Sequence, residues 1–404
     1  MTSSLRTVPL DVTLSRAQRL AVELGISRVT DTTWLDYIGI PVFSSIRPDA
    51  TPGSLCVNAG KGVRPAEARV GAYMEAIEFA VAEYRRRNVD VFLSTPRAVV
   101  EQPAAGFDFL SLCPILGRPV DPDGPLACVH AEDVVTGDRV ALPAELAFSP
   151  FAENPGQRIF GTSTNGLASG NSVDEATVHG LAEVLERDVS AFNYFDDTSR
   201  FVTFDDPAGD LDELRTKIEA AGLEAVLRYT ENAFGLPYFH GFILEPTDDA
   251  PIAISHGSGL HPVRDIAAVR ALSEAAQSRL SYIHGGRDDL IDRFAYFAAF
   301  DGELERQATA QLRANAGDRA NPVRYADIPR GPAFADIPAA LDFLLGKLRE
   351  QGLTQVLRVV LSKPDSPLAV VKVVVPGLES FEPLLKRIGP RLAAKLDARE
   401  VSHV

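Results

Sequence analysis

The chain has 404 residues, of which 46% are hydrophobic and 24% charged, and its formal charge is −15 at pH 7. That balance suits a globular protein with a sizeable core, and the negative excess argues against nucleic acid as a partner, because phosphate recognition wants a basic surface. Cys56, Cys113 and Cys128 show no CxxC or Cys/His pair spacing, so neither a disulfide framework nor a zinc site is expected, and a reducing, cytoplasmic setting is.

Taken in order, residues 9 to 24 read as a helix after Pro9, with Leu14, Leu20, Ala21 and Leu24 at near-helical spacing. The start, MTSSLRTVPLDV, lacks the basic and apolar blocks of a signal peptide. Strands are expected at 37 to 47 and 54 to 59, the second running into Gly60-Lys61-Gly62. A long helix from about Pro65 to Arg87 follows. The Pro- and Gly-rich stretch from 92 to 160 reads as short strands and turns, including 139 to 142. Next comes a polar, glycine-punctuated loop, Gly161 to Asn171, opening a helix at Ser172 that reaches about 195. Ser172 reads as its N-cap, and Glu175 three residues on completes a capping-box pattern. Beyond it the pattern predicts a helix over 208–221 and strands over 224–229, 238–245 and 251–256. A helix over about 263–284 comes next, then partly helical structure within 294–330. The end reads as helix 337–351, strand 355–362, strand 368–375 and helix 381–397. The richest apolar run, Leu368 to Val375, is interrupted by Lys372, so no membrane span is expected and the protein reads as soluble.

The acids on the long helices carry the chemistry. Glu75 and Glu78 stand three apart on one helix, and Glu183 and Glu186 three apart on another, so each pair shares a helical face and can reach one ion. Glu175 precedes Glu183 by roughly two turns and stays near that face. A third helix holds Arg270, Glu274, Gln277 and Arg279. Carboxylates crowded on half-apolar helices call for a compensating cation, the alternative being a solvated acidic face with a cap. All-oxygen ligands suit Mg²⁺ or Mn²⁺ rather than zinc, and Mg²⁺ binds together with substrate phosphates, so an ATP–Mg²⁺ site is the natural reading. Arg187 and Arg270 would then face phosphate oxygens as guanidinium forks. Gly60-Lys61-Gly62 is no P-loop, because the Walker A spacing is absent. The histidines form no metal spacing. His179 and His284 read as structural, and His256 and His261, bracketing a Gly-rich turn, stay unassigned.

Four segments in order resemble the YcaO-domain family over nearly the whole chain: GKG at 60–62 with AYMEAIE at 72–78, NGLASGN at 165–171 with EATVHGLAEVLERD at 175–188, RALSEAAQSRL at 270–280, and VVKVVVPGLE at 370–379. The resemblance implies an α/β (α+β) fold of the YcaO ATP-binding type, with mixed or antiparallel sheets and acid-bearing helices around a central nucleotide cleft. It implies a single catalytic domain over 1–404, with a core at about 37–290 and a C-terminal helix and strand segment at about 335–400. By the same resemblance Glu75, Glu78, Glu183 and Glu186 hold Mg²⁺. Arg187 belongs with the last two, Asn171 and Glu175 approach the nucleotide, and Arg270 and Glu274 form a phosphate-side pair. Arg6 and Thr13 occupy the spacing of a basic residue and a hydroxyl on the nucleotide. Two positions depart from the family pattern: Gly71 stands where a serine is usual, and Ala168 where some members have a nucleotide-side serine.

Proteins that look like this one activate a peptide backbone amide. A nucleophile adds to the amide carbon, the oxyanion takes the γ-phosphoryl group of ATP, and phosphate leaves. A substrate Cys, Ser or Thr side chain gives an azoline, external sulfide a thioamide, and a peptide amine an amidine. The ending KLDAREVSHV lacks the proline-rich tail of many azoline-forming members. LGISRVTDTTWLDYIGIPV and NGLASGN look more like members associated with a TfuA partner, so thioamide formation in ribosomal peptide modification is placed first, with a precursor peptide and a TfuA-like protein as partners. Azoline or macroamidine formation stands behind it, and a non-catalytic scaffold is the alternative of another class. No general base is assigned, and homo-oligomerisation stays open.

Overall fold

The computed structural model describes residues 5–205, 209–248, 250–290 and 303–402. Helix α1 (Leu10–Glu23) is followed by strands β1 (Arg28–Asp31), β2 (Val42–Ile46) and β3 (Val57–Lys61), and then by α2 (Pro65–Ala82). Residues 37–41, expected as strand, are bends and loop. The Pro-rich stretch holds β4 (Phe92–Ser94), α3 (Pro96–Glu101), β5 (Leu126–Asp133) and β6 (Arg139–Pro143). A strand that was expected as loop, β7 (Leu167–Gly170), leads into α4 (Val173–Phe195). Then come β8 (Arg200–Thr203), α5 (Asp210–Ala220), β9 (Glu224–Tyr229), β10 (Tyr238–Leu244), β11 (Ile254–Leu260) and α6 (Arg264–His284). After α7 (Glu303–Gly317) and β12 (Val323–Arg324) the chain forms α8 (Ile337–Glu350), β13 (Leu357–Val360), β14 (Ala369–Val374) and α9 (Pro390–Ser402). The part of the 294–330 expectation before Glu303 lies outside the described residues. The last helix begins at Pro390 rather than 381: Lys386 sits in the left-handed region at φ 51°, which a continuing helix does not allow.

The chain divides into two compact units, one of Met1–Ala50, Leu55–Ala76 and Thr198–Ala333, the other of Thr51–Ser54, Ile77–Asp197 and Phe334–Val404. The boundary falls inside α2, between Glu75 and Glu78. The first unit has an antiparallel sheet in the order β1-β2-β3 and a five-stranded sheet, β11-β10-β9-β8-β12, whose only parallel pair is β8–β12. Helices α5 and α6 cover the larger sheet, burying Leu214, Ile218, Phe239, Ala271 and Leu272 together. The second unit is built on an antiparallel sheet, β4-β5-β13-β14-β7, with β6 beside β5. Helix α4 lies along β7 and β14, and α8 packs against α4. The mixed α/β architecture is the one expected. Among the described residues no helix is long and apolar enough to cross a membrane.

Glycine at the strand faces is what allows these helices to sit where they do. A Cβ on Gly60 of β3 would stand 2.0 Å from the Ala72 nitrogen and 2.2 Å from the Ala68 oxygen of α2. Gly71 faces it: its own Cβ would meet the Gly60 Cα at 3.3 Å, so a serine there would crowd the same contact. The GKG motif therefore serves helix-on-strand packing. Gly257 and Gly259 do the same for α6, with Cβ positions 2.4 Å from the Glu274 Cβ and 2.2 Å from the Ala267 oxygen. The Gly-rich turn read from the sequence is thus strand β11.

Gly60→Ala is expected to destabilise the protein by about 3 kcal/mol, the upper end for overpacking, because backbone atoms cannot rotate away. Gly346 of α8 has nothing within 4 Å of its Cβ position. There Gly→Ala should stabilise by about 1 kcal/mol through helix propensity. Urea unfolding of both variants beside the parent checks the pair; a neutral Gly60→Ala would contradict the packing account.

Candidate functional site

In the first unit the acids singled out in the sequence meet basic partners. Lys61, at the end of β3, donates its ammonium to Glu274 on α6. The charges of Arg287 and Lys61, with the nearby Ala59 backbone N–H, favour the ionised form of Glu75 on α2. Enclosure outweighs them, and Glu274 adds repulsion, so the carboxyl of Glu75 is held above the ordinary range. Gln277, one turn along α6 from Glu274, donates to the Ala59 carbonyl at 2.7 Å and locks α6 to β3.

Arg270 stands one turn before Glu274, half-buried, and among the described residues it makes no ion pair and no hydrogen bond. Its charge is felt by His261. Burial first, and Arg270 second, push that imidazole down to about 3. His261 is therefore neutral, and its Nδ1 accepts the Val263 N–H at 3.0 Å at the start of α6. Its role is structural. Arg6 is half-buried ahead of α1, and Thr13 is buried on α1, its hydroxyl donating to the Pro9 carbonyl at 3.4 Å.

In the second unit Ser172 caps α4 as its sequence position predicts, its Oγ accepting the Glu175 N–H at 3.1 Å. Asn171 donates its amide to Oε1 of the fully buried Glu175 at 3.1 Å. Glu78 accepts both the backbone N–H and the hydroxyl of Ser169 on β7, at 2.8 and 2.6 Å. Glu186 is buried, with Arg187 Nη1 3.5 Å from its Oε1. Glu183 acts on Lys372 of β14, favouring its charged form. The structure thus joins Glu75 with Glu274, Asn171 with Glu175, and Glu186 with Arg187. Lys61, Ser169, Arg287 and Lys372 were not singled out from the sequence as partners of these acids. Only Lys61 carried a signal, as the charged residue of a glycine-flanked strand end leading into an acid-bearing helix.

Among the described residues no three His, Cys, Asp or Glu side chains stand close enough to cage a metal ion by themselves. That donor set suits magnesium, which keeps waters and takes one or two carboxylates along with phosphate oxygens. Arg270, with no counter-charge in contact among the described residues, suits a phosphate oxygen, and the carboxylates of each unit suit magnesium. The family model described as YcaO cyclodehydratase, ATP- and Mg²⁺-binding, matches residues 59–379. The chain belongs to the YcaO family. ATP and Mg²⁺ are accordingly its cofactors.

An uncharacterised protein of Methanothermobacter thermautotrophicus is 34% identical over 92% of this chain and 94% of its own length. An uncharacterised protein in the tfuA 3′ region of Rhizobium leguminosarum bv. trifolii is 32% identical over 88% of this chain and 84% of its own. The structure of YcaO from Methanopyrus kandleri, bound with AMPPCP and Mg²⁺, shares the fold at a TM-score of 0.73 and 23% identity, covering 96% of each chain.

The depressed His261 gives a pH test. The folded imidazole titrates below its unfolded value, so the stability it contributes is present above about pH 6.5 and is lost as pH falls toward 3, with a slope of at most about 1.4 kcal/mol per unit. Nitrogen chemical shifts of His261 should stay those of a neutral ring between pH 8 and pH 5. Arg270→Ala should move the midpoint upward, since one repelling charge is gone. A ring that protonates near its ordinary value in the parent would refute the burial argument.

Proposed function

We propose that this YcaO protein uses ATP to O-phosphorylate a backbone amide of a ribosomally made precursor peptide, and that its product is a thioamide. The observation that carries the phosphoryl chemistry is Arg270: a half-buried guanidinium without a partner among the described residues, one turn from an anchored Glu274. Support for the thioamide comes from the relative in a tfuA 3′ region, which also supports a TfuA-like protein as partner. When bound, Mg²⁺ and ATP supply the charge clamp and the phosphoryl group that turns the amide oxygen into a leaving group. Sulfide adds to the amide carbon, the oxyanion takes the γ-phosphoryl group, and phosphate departs as the carbon–sulfur double bond forms. ADP, phosphate and thioamide are the products.

The residues of this chain would divide the work as follows. Glu75, Glu78, Glu183 and Glu186 offer carboxylate oxygens to magnesium. Arg187 and Arg270 offer planar forks to phosphate oxygens. Asn171, Glu175, Glu274, Arg6 and Thr13 would lie on the nucleotide side. The Ser169 bonds to Glu78 and the Asn171 bond to Glu175 orient those carboxylates before any ligand arrives. Lys61 holds Glu274 in the same way. The description of the family as cyclodehydratase favours a second reading, in which a side chain of the peptide itself is the nucleophile and an azoline forms with loss of water.

Mass spectrometry of a precursor peptide incubated with the protein, a TfuA-like partner, ATP, Mg²⁺ and sulfide separates the readings. Exchange of oxygen for sulfur supports thioamidation, loss of one water supports cyclodehydration, and an unchanged peptide with no ATP consumed defeats both. Glu186→Gln keeps shape and removes one charge. It should fold as well as the parent, within about 0.5 kcal/mol or better. Its peptide-dependent ATP turnover should fall by about 10- to 100-fold. Parental turnover in a well-folded Glu186→Gln protein would sink the metal-site assignment.

A further inference from the structure

Two cations of the second unit lie out of water on one cavity. Lys372 on β14 is 3% exposed, and Arg387, in the segment before α9, is 7% exposed. Both line one cavity of about 40 Å³ together with Ser163, Asn165, Ser380 and Glu379. Lys372 donates to the Ser163 carbonyl at 2.6 Å. Arg387 donates Nε to the Cys113 carbonyl at 2.8 Å and Nη2 to that of Leu112 at 2.9 Å. Among the described residues neither cation has a carboxylate at ion-pair distance. Glu183 and Glu382 act on Lys372, and Glu382 and Glu145 on Arg387, only from farther away.

The carboxylates on the cavity wall are already held by backbone donors. Glu145 accepts the N–H groups of Ile159 and Phe160 at 2.6 and 2.9 Å. Glu379 accepts those of Gly389 and Leu392, also at 2.6 and 2.9 Å. Burial is the leading influence on both cations, opposing their charge, and Arg387 further disfavours the charge on Lys372. Burial pushes Lys372 down to about 7, and with the wall carboxylates turned to backbone donors, an anion in the cavity would let both cations keep their charge.

The hydrogen-bonding groups narrow the choice of anion. Asn165 Nδ2 donates to Ser380 Oγ at 3.1 Å, which leaves the Ser380 proton to be given to an acceptor. Asn165 Oδ1 is buried with no partner among the described residues and wants a donor. The fitting guest accepts several hydrogen bonds and gives one. Hydrogen phosphate does both at neutral pH, whereas sulfate carries no proton there.

We propose that this cavity of the second unit is a binding site for a small protonated oxyanion of the hydrogen-phosphate type, built from Lys372, Arg387, Ser380 and Asn165. None of these residues belongs to the nucleotide set above, so the two assignments stand or fall separately.

The test is calorimetric titration of inorganic phosphate into the full chain, without ATP or Mg²⁺, with sulfate titrated in parallel. Phosphate should bind saturably at one site, and sulfate at least about 10-fold more weakly, for want of the bond to Asn165. Lys372→Met should abolish binding, and Ser380→Ala should weaken it by about 10-fold. If Lys372→Met does not fold, Ser380→Ala decides. Binding that is lost in Arg270→Ala but kept in Ser380→Ala would put the anion on the nucleotide side and overturn the assignment. Absence of saturable binding in the parent, or parental affinity in Ser380→Ala, would overturn it equally.

Discussion

Lys61 reaches from the end of β3 to Glu274 on α6, and the first unit's acidic helices depend on contacts of that kind. A carboxylate withdrawn from water keeps its charge only where a cation or N–H donors replace the solvent. Glu75 shows the balance most plainly: Arg287, Lys61 and the Ala59 N–H favour its anion, and enclosure still prevails. The second unit meets the same demand with different donors, the two bonds from Ser169 to Glu78 and the amide of Asn171 to Glu175. Each such bond joins a helix to a strand or to its own cap, so the acids come pre-oriented. That preorganisation is what charge stabilisation in a reaction requires.

These bonds need helices lying almost on strand backbones, and only glycine permits that distance. Gly60 under α2 and Gly257 under α6 leave room for main-chain atoms where any side chain would collide. Gly170 does the same at the start of α4, its Cβ position being 2.6 Å from the Ala176 nitrogen. The close approach brings Lys61 within reach of Glu274 and puts Ser169 against Glu78. Loss of a glycine would therefore act on the charges as well as on the packing.

This double use of glycine explains which parts of the structure could be read from the sequence. Helix α4 was legible because its start carries a strong local signal, Ser172 with Glu175, and its cap forms as that signal says. Helix α6 was read at about 263–284, and Gly285, which ends it, adopts the left-handed conformation at φ 66°. Strand β7 was not, and of β11 only the start was. Their glycines mimic loop and turn composition, and the reason for them lies in a helix that follows in sequence and covers them in space. The acids themselves were legible, being spaced on helical faces. Their partners were not, since Arg287 and Lys372 lie far along the chain from Glu75 and Glu183.

Lys372 shows how far such a reading can mislead. In the sequence it is a charge interrupting an apolar run, useful only for arguing against a membrane span. In the fold it pairs in register with Leu167, inside a sheet, and its ammonium turns to the Ser163 carbonyl. A net charge of −15 says nothing about that position, nor about Arg270. Net charge governs long-range steering and solubility, whereas recognition of a phosphate is decided within hydrogen-bond reach. Around Glu75 and Glu274 stand Lys61 and Arg287, and Arg270 follows on the same helix as Glu274. Asp289 is paired with Arg287 there, which leaves Arg270 as the cation of that group with no ion pair among the described residues. An acidic chain can in this way still keep a cation open to phosphate oxygens.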